Sequence, residues 1–418
     1  MIGAIIGDVV GSVFEFDQHG KQPYDFPLIS KESEFTDDTV LTIAVMDWLL
    51  HSNVKNTSSM TEYFRKWCHK YPNPKGCYGS RFSIWLNSKN PKPYGSIGNG
   101  AAMRISPVAY YAKTKEELFT LSDTVTSTTH DSNQGKKGAR AIALATWMAL
   151  NGSSKDDIRQ MAESYYPEIK ELNYNDLVKN YYHKETCNEC CPQALYCFLI
   201  SSDFEDCLRK TVCIGGDTDT ICAMSCAIAE AFYKNIPNQL IDDVWNKLPE
   251  DIQQIISEFS YHLRIKEDNK SLVFELHYDL DRFVKAQEHS YESAKEELMN
   301  GRKETHWMWY IFPQIRGLGQ SSMSYEYGLG GIGEAEAYYQ HALLGPRLVE
   351  LCNILLQLKT NNASIIFGYP DDLKLKSSMT LFYIATKEQI FKSVLDKYFD
   401  GELDKNTMEI LNIPNTSN

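Results

Sequence analysis

No stretch of this chain approaches the ~20 consecutive apolar residues that a bilayer-spanning helix needs. Its apolar N-terminus, MIGAIIGDVVGSVFEF, has no basic flank and carries Asp8 and Glu15. It reads as mature protein and not as a signal peptide. Positive charge is in short supply: 42 Lys and Arg face 55 Asp and Glu, for a net charge of −13. That balance argues against broad capture of nucleic acid, while leaving room for a local basic groove. Strand-like alternation is scarce, and there is no internal repeat or low-complexity tract. The cysteines number eleven, an odd count, and several sit inside helical patterns. Reduced thiols and a cytoplasmic, monomeric protein are expected, not a disulfide framework. His183, Cys187, Cys190 and Cys191 are spaced closely enough to recruit zinc. No second Cys/His pair follows at finger-like spacing, however, and CPQALYCFL continues as an apolar helix, so plain thiols are the better reading.

What the chain does have is helical periodicity. Val40, Leu41, Ala44, Val45, Trp48 and Leu49 recur at helical spacing, as do Ala139, Ile142, Ala143, Thr146, Trp147 and Leu150. Ile221, Met224, Ala227, Ile228, Ala231 and Phe232 form a third such set, whose small residues allow close packing. Connectors such as YPNPKGCYGS and NPKPYGSIGNG punctuate the helices. The expected fold is mainly α. At 418 residues the chain has room for two domains. The polar segment Arg264–Ser271 marks the break, which gives domains at 1–263 and 277–418. The second has its own aromatic run, HWMWYIFPQ, and a terminal helix over Glu388–Phe399, with Gly401 placed to stop it.

Two short motifs carry the chemistry. FTDDTV at Phe35–Val40 and GGDTDT at Gly215–Thr220 each set aspartates beside threonines at the start of an apolar helix. Taken singly, each is best read as a helix cap. Taken together they imply more. If the two helix starts meet, Asp37, Asp38, Asp217 and Asp219 share one small volume. Two carboxylates ~4 Å apart repel by roughly 4 kcal/mol at an effective dielectric of ~20. Hard divalent cations would relieve this, with threonine hydroxyls completing an all-oxygen ligand set. DTD is not an EF-hand loop, because the spaced ligands and closing glutamate are missing. GDVVGSVFEF adds Asp8 between Gly7 and Gly11, with Glu15 beyond. GNGAAMR at Gly98–Arg104 is a small-residue loop whose N–H groups could cradle phosphate. TTHDSN brings His130, a residue type that more often caps or packs than binds a ligand.

In this order the motifs GDVVGSVFE, FTDDTV, GNGAAMR, TTH and GGDTDT resemble those of the ADP-ribosylglycohydrolases, over about Met1–Phe259. The resemblance implies a compact all-α bundle around two Mg²⁺ ions, with Mn²⁺ as the alternative. It implies Thr36, Asp37, Asp38, Asp217, Asp219 and Thr220 as metal ligands. Glu15 matches a mobile glutamate over the metals. Gly98, Asn99 and Gly100 match a loop that grips pyrophosphate and ribose, and His130 matches a ribose contact. No ligand is missing, which argues against a non-catalytic relative. The implied reaction is hydrolysis of the ribosyl C1″ glycosidic bond of an ADP-ribosylated protein, nucleic acid base or small molecule. Asp38 or Asp217 would help deprotonate the attacking water, while Glu15 would assist the leaving group or move aside for substrate. The competing reading is an ADP-ribose or NAD-metabolite binding module without turnover. Glu15 favours the enzyme, because binding alone needs no such residue near the scissile bond.

GRKETHWMWYIFPQIRGLGQSS, EAEAYYQHALLGPRL and KSSMTLF resemble an uncharacterised bacterial domain family with the signature GRK-x-x-HWMW-x-IFPQ, itself similar to the NADAR group. Trp307, Trp309 and Phe312 read first as core, and Lys303 and His306 as surface. A nucleoside pocket would want the same mixture of rings and a basic group.

Overall fold

Three glycines spaced four apart, Gly3, Gly7 and Gly11, line one face of the first helix, Gly3–Gly11. The computed structural model describes residues 2–15, 20–266, 280–319 and 321–411 and divides into two units, Met1–Glu275 and Leu276–Asn418. In the first unit that glycine face lies directly on the backbone of the helix Thr218–Tyr233. A Cβ on Gly3 would sit 2.6 Å from the Cys226 carbonyl oxygen, one on Gly7 2.3 Å from that of Cys222, and one on Gly11 2.5 Å from that of Thr218. The partners also repeat every four residues, in the reverse order. The two helices therefore run antiparallel in backbone-to-backbone contact that only hydrogen side chains allow. The Glu230 carboxylate accepts the N–H groups of Ile2 (3.2 Å) and Gly3 (2.8 Å), which caps the first helix.

The Thr218–Tyr233 helix is buried up to Ala231 and forms the axis of this unit. Around it pack the helices Asn133–Leu150, Cys187–Ile200 and Phe204–Ile214, and the helix Asp37–His51 reaches it near the site. These elements bear out the three periodic segments read from the sequence. The fold is all-α. Among the described residues the pairings outside helices are isolated bridges, such as Thr36 with Lys75 and Gly98 with Thr186. No helix of the described residues is long and apolar enough to cross a membrane. Ten of the eleven cysteines are buried as free thiols, and Cys77 is exposed.

The break expected at Arg264–Ser271 runs out of the described residues after Lys266, where the helix Glu250–Lys266 ends. In the second unit the helix Asp371–Thr386 packs against Ile332–Gln340 and Gln389–Phe399. The last of these stops at Asp400 and Gly401, both with positive φ. Trp307 and Phe312 are fully buried and pack with Phe367 at centroid distances of 6.2–6.3 Å, and the Trp307 indole N–H donates to Glu297. Trp309 is half-buried beneath Lys374 Nζ, 3.5 Å from its ring centroid. Lys303 pairs with Asp371 at 2.7 Å, and His306 is exposed.

The glycine seam predicts a sharp size limit. Gly7→Ala forces a methyl into backbone, so a loss of about 1–3 kcal/mol or more is expected in urea unfolding. Gly79→Ala, where nothing lies within 4 Å of the added Cβ, is the control and should change little.

Candidate metal centre

The two motifs meet, and they cap their helices differently. Thr36 is the N-cap of Asp37–His51, and its Oγ1 accepts the Asp38 N–H at 3.1 Å. The second cap comes from Asp8 on the first helix: its Oδ2 accepts the N–H groups of Thr36 and Thr39, each at 3.0 Å, and the Thr39 hydroxyl. The Thr218–Tyr233 helix has no side-chain cap at all. Capping thus explains Thr36 and Asp8 and leaves Asp38 and Asp217 for other work. Asp38 Oδ2 accepts the Thr220 hydroxyl at 3.1 Å, across the two motifs. Asp217 Oδ2 accepts the Asn99 side-chain amide at 2.5 Å.

Ligand oxygens of Glu15, Asp217 and Asp219 all lie within 4.8 Å of one another, and all three residues are buried. Asp38 and Asp219 each keep an Oδ1 that is buried without a hydrogen-bond partner. Such oxygens are costly unless a proton or a cation sits on them. Burial raises every carboxyl here, and the neighbouring carboxylates raise most of them further. Glu15 is pushed up to about 9, by burial first and then by Asp219, Asp37 and Asp8. Asp37 rises to about 8 through burial and Asp219. Asp217 rises to about 7, chiefly through burial, against the opposing hydrogen bonds of Asp219 and Asn99. Asp38 and Asp219 are raised well above the carboxylate range, by burial and by each other's neighbours. The donor set is carboxylate and hydroxyl oxygen throughout, which fits a hard divalent cation such as Mg²⁺ or Mn²⁺.

The remaining expected residues gather beside this cluster. Asn99 opens a short 3₁₀ turn, Asn99–Ala101, held by its N–H to the Glu185 carbonyl oxygen (2.8 Å). The Gly98 N–H donates to Ser96 Oγ at 3.2 Å. Two of the loop's three N–H groups are therefore engaged within the protein, and the Asn99 side chain positions Asp217. His130 lies buried under the loop: a Cβ on Gly98 or Gly100 would be 3.5 or 3.4 Å from its Nε2. Gly76, with φ of +77°, packs against Glu15, whose negative charge Lys75 partly offsets. The zinc alternative finds no convergence. Cys190 Sγ faces Asn99 and the Lys184 carbonyl, Cys191 faces Met224, and His183 bonds Glu185.

Sequence reading missed two residues. Asp8 stood out between its glycines, but that its carboxylate caps a helix 28 residues away follows only from the seam. Arg104 closes the GNGAAMR motif, and nothing in the sequence marks it as a core residue. It is fully buried, stacks on Phe64 (4.4 Å to the ring centroid), and is held down to about 10 by burial.

The raised carboxyls set a sign for stability. A group whose pKa is raised by folding binds its proton more tightly in the native state. Its contribution is present at low pH and is lost as pH climbs through the folded value. In chelator, the melting temperature should fall from about pH 5 through the values of about 7, 8 and 9 of Asp217, Asp37 and Glu15. Mg²⁺ or Mn²⁺ at a hundredfold excess over Kd should add about 2.7 kcal/mol, or about 5–10 °C, and a fixed metal concentration should add most at alkaline pH, where the carboxyls are ionised and Kd is lowest. Scanning calorimetry at pH 5, 7 and 9 with and without metal checks both. Equal metal shifts in the wild type and Asp219→Ala would overturn the site.

A family model described as ADP-ribosylglycohydrolase matches residues 1–269, and one described as a protein of unknown function, DUF1810, matches residues 277–411. ADP-ribosylhydrolase ARH3 of Mus musculus is 26% identical over 305 residues, spanning 56% of this chain and 82% of that protein. ADP-ribosyl-(dinitrogen reductase) glycohydrolase of Rhodospirillum rubrum is 23% identical over 274 residues, spanning 60% of this chain and 91% of its own. A conserved hypothetical protein of Mycobacterium tuberculosis with a crystal structure is 50% identical, covering 33% of this chain and 99% of its own, with a TM-score of 0.32. The C-terminal unit is thus a DUF1810 domain. With its family model matched over more than half of the chain, the protein belongs to the ADP-ribosylglycohydrolase family.

Proposed function

We propose that the protein is a metal-dependent hydrolase that cleaves the ribosyl C1″ glycosidic bond of an ADP-ribosylated molecule and releases ADP-ribose. The observation that carries this reading is the set of buried carboxylates with unpartnered oxygens at the meeting of two helix starts. Family membership supports it, as do the names of the two relatives above.

In this reading Thr36, Asp37, Asp38, Asp217, Asp219 and Thr220 hold the metal. Bound there, Mg²⁺ or Mn²⁺ would orient ribose hydroxyls and lower the pKa of a water. The protein's own groups do the rest. Asp38 or Asp217 accepts the proton of the attacking water. Asn99 keeps Asp217 in place through its amide, and the Gly98–Gly100 loop with His130 beneath it seats the diphosphate and ribose. Glu15, which holds its proton up to about 9 before a cation binds, can pass it to the departing group or swing aside for substrate. Substrates left open by this geometry are ADP-ribosylated proteins, bases and small molecules. A role for the second unit on a related ligand rests on its sequence resemblance alone.

Turnover on ADP-ribosylated arginine, serine and base substrates tests the reading. Chelation should abolish release of ADP-ribose, and Mg²⁺ or Mn²⁺ should restore it. Asp38→Asn and Asp217→Asn should each lose at least about 100-fold, and Asn99→Ala about 10–100-fold, the scale of a residue that orients a ligand. Full activity in excess chelator would sink the proposal, and ADP-ribose binding with no turnover on any substrate would leave a binding module instead.

We also propose that residues 1–269 fold alone and keep this activity, since every residue of the centre lies before that point. Soluble, metal-binding 1–269 without turnover on a substrate the full chain hydrolyses would refute this.

A further inference from the structure

Arg104 is the residue of the GNGAAMR motif that the proposed reaction does not use. It is fully buried, and no carboxylate pairs with it among the described residues. Its Nη2 donates to Thr129 Oγ1 at 2.7 Å and also points at His130 Nδ1, 3.4 Å away. Thr129 Oγ1 is itself 2.7 Å from His130 Nδ1. Its Nε and Nη1 have no hydrogen-bond partner among the described residues, and its guanidinium rests on the Phe64 ring.

These contacts favour one arrangement of protons. A guanidinium has donors and no acceptor, whereas a hydroxyl can donate and accept. Thr129 Oγ1 gives one lone pair to Arg104 and can turn its proton toward Nδ1. Arg104 Nη2 can offer Nδ1 only hydrogen, so a proton on Nδ1 would point into one on Arg104. The arrangement that satisfies both neighbours of Nδ1 puts the ring proton on Nε2. Nε2 is also the atom that lies against the glycine loop, at the two positions where any side chain would touch it.

We propose that Arg104 is a positioning residue: it fixes His130 as a neutral imidazole with its proton on Nε2, so that the ring offers one N–H donor to a phosphate or hydroxyl oxygen seated at the Gly98–Gly100 loop. The charges that face His130 agree. Its pKa is lowered well below the ordinary value by burial first, then by Arg104 and by Arg81. Tyr94 packs beside the ring at 6.2 Å, and Gly135 closes over its Cβ. The carboxylate of the adjacent Asp131 accepts the Gly95 N–H at 2.8 Å. The ligand half of this inference rests on the function proposed above. The tautomer does not.

Long-range ¹H–¹⁵N NMR of the ¹⁵N-histidine-labelled full chain tests it, with His130→Gln to assign the signal. Nδ1 should show the shift of an unprotonated nitrogen and Nε2 that of a protonated one, unchanged from pH 8 to 5.5. A proton on Nδ1, or titration of His130 near 6.5 in the wild type, overturns the proposal even if the Arg104 variants do not fold. In Arg104→Met, His130 should titrate. At saturating Mg²⁺ the ratio of variant to wild-type Kd for ADP-ribose should then drop about tenfold from pH 8 to 5.5, as the ring gains charge and its hydrogen bond to an anion strengthens. Arg104→Lys, another donor without an acceptor, should restore a flat ratio. A constant ratio for Arg104→Met would mean a merely structural role and refute the assignment. A fixed tautomer in a protein that does not bind ADP-ribose at all would overturn the ligand half and the functional reading with it.

Discussion

Negative charge confined in a dry space is the constraint on which this molecule turns. Glu15, Asp38, Asp217 and Asp219 are all buried, and half-buried Asp37 adds its charge to theirs. Each carboxylate disfavours the ionisation of its neighbours. An arrangement like this survives only if the backbone that carries it cannot retreat. Here the rigidity comes from the glycine seam, which presses the first helix onto Thr218–Tyr233 and brings Asp8 to the start of Asp37–His51. One antiparallel contact thereby fixes both helix starts and Glu15 at the same point.

The same contact explains how one carboxylate type serves opposite ends. Asp8 and Glu230 face backbone N–H groups at helix starts, where the partial positive charge welcomes them. Asp8, Asp38 and Asp219 each also keep one oxygen with nothing to accept. What sets Asp8 apart is that its other oxygen takes the N–H groups of a helix start. Thr36 and Asp8 take N–H groups at the start of Asp37–His51, and Asp38 turns toward Thr220.

Much of this was legible before any coordinates. Period-3.6 patterns placed the three main helices of the first unit, because apolar faces are a local property of the sequence. Paired Asp-Thr motifs pointed to a shared oxygen-rich site, because their repulsion is predictable from charge alone. What stayed hidden depends on direction and distance. Asn99 looked like a ligand contact, yet its amide holds Asp217, 118 residues on. Arg104 gave no sign that it would be buried beside His130, since a lone arginine after a small-residue loop is usually solvated. Trp307 and Phe312 were readable as core from their apolar size, whereas the half-buried Trp309 under Lys374 depends on how two helices turn.

The sulfur chemistry of the interior has a consequence for how this protein ages. Ten thiols are shielded as long as the chain stays folded. Each opening exposes several at once, and a thiolate that meets oxidant in the open chain can form a mispaired disulfide or an oxidised acid that no longer fits the core. Unfolding then becomes a ratchet, and shelf life is governed by the rate of opening rather than by the depth of the native well.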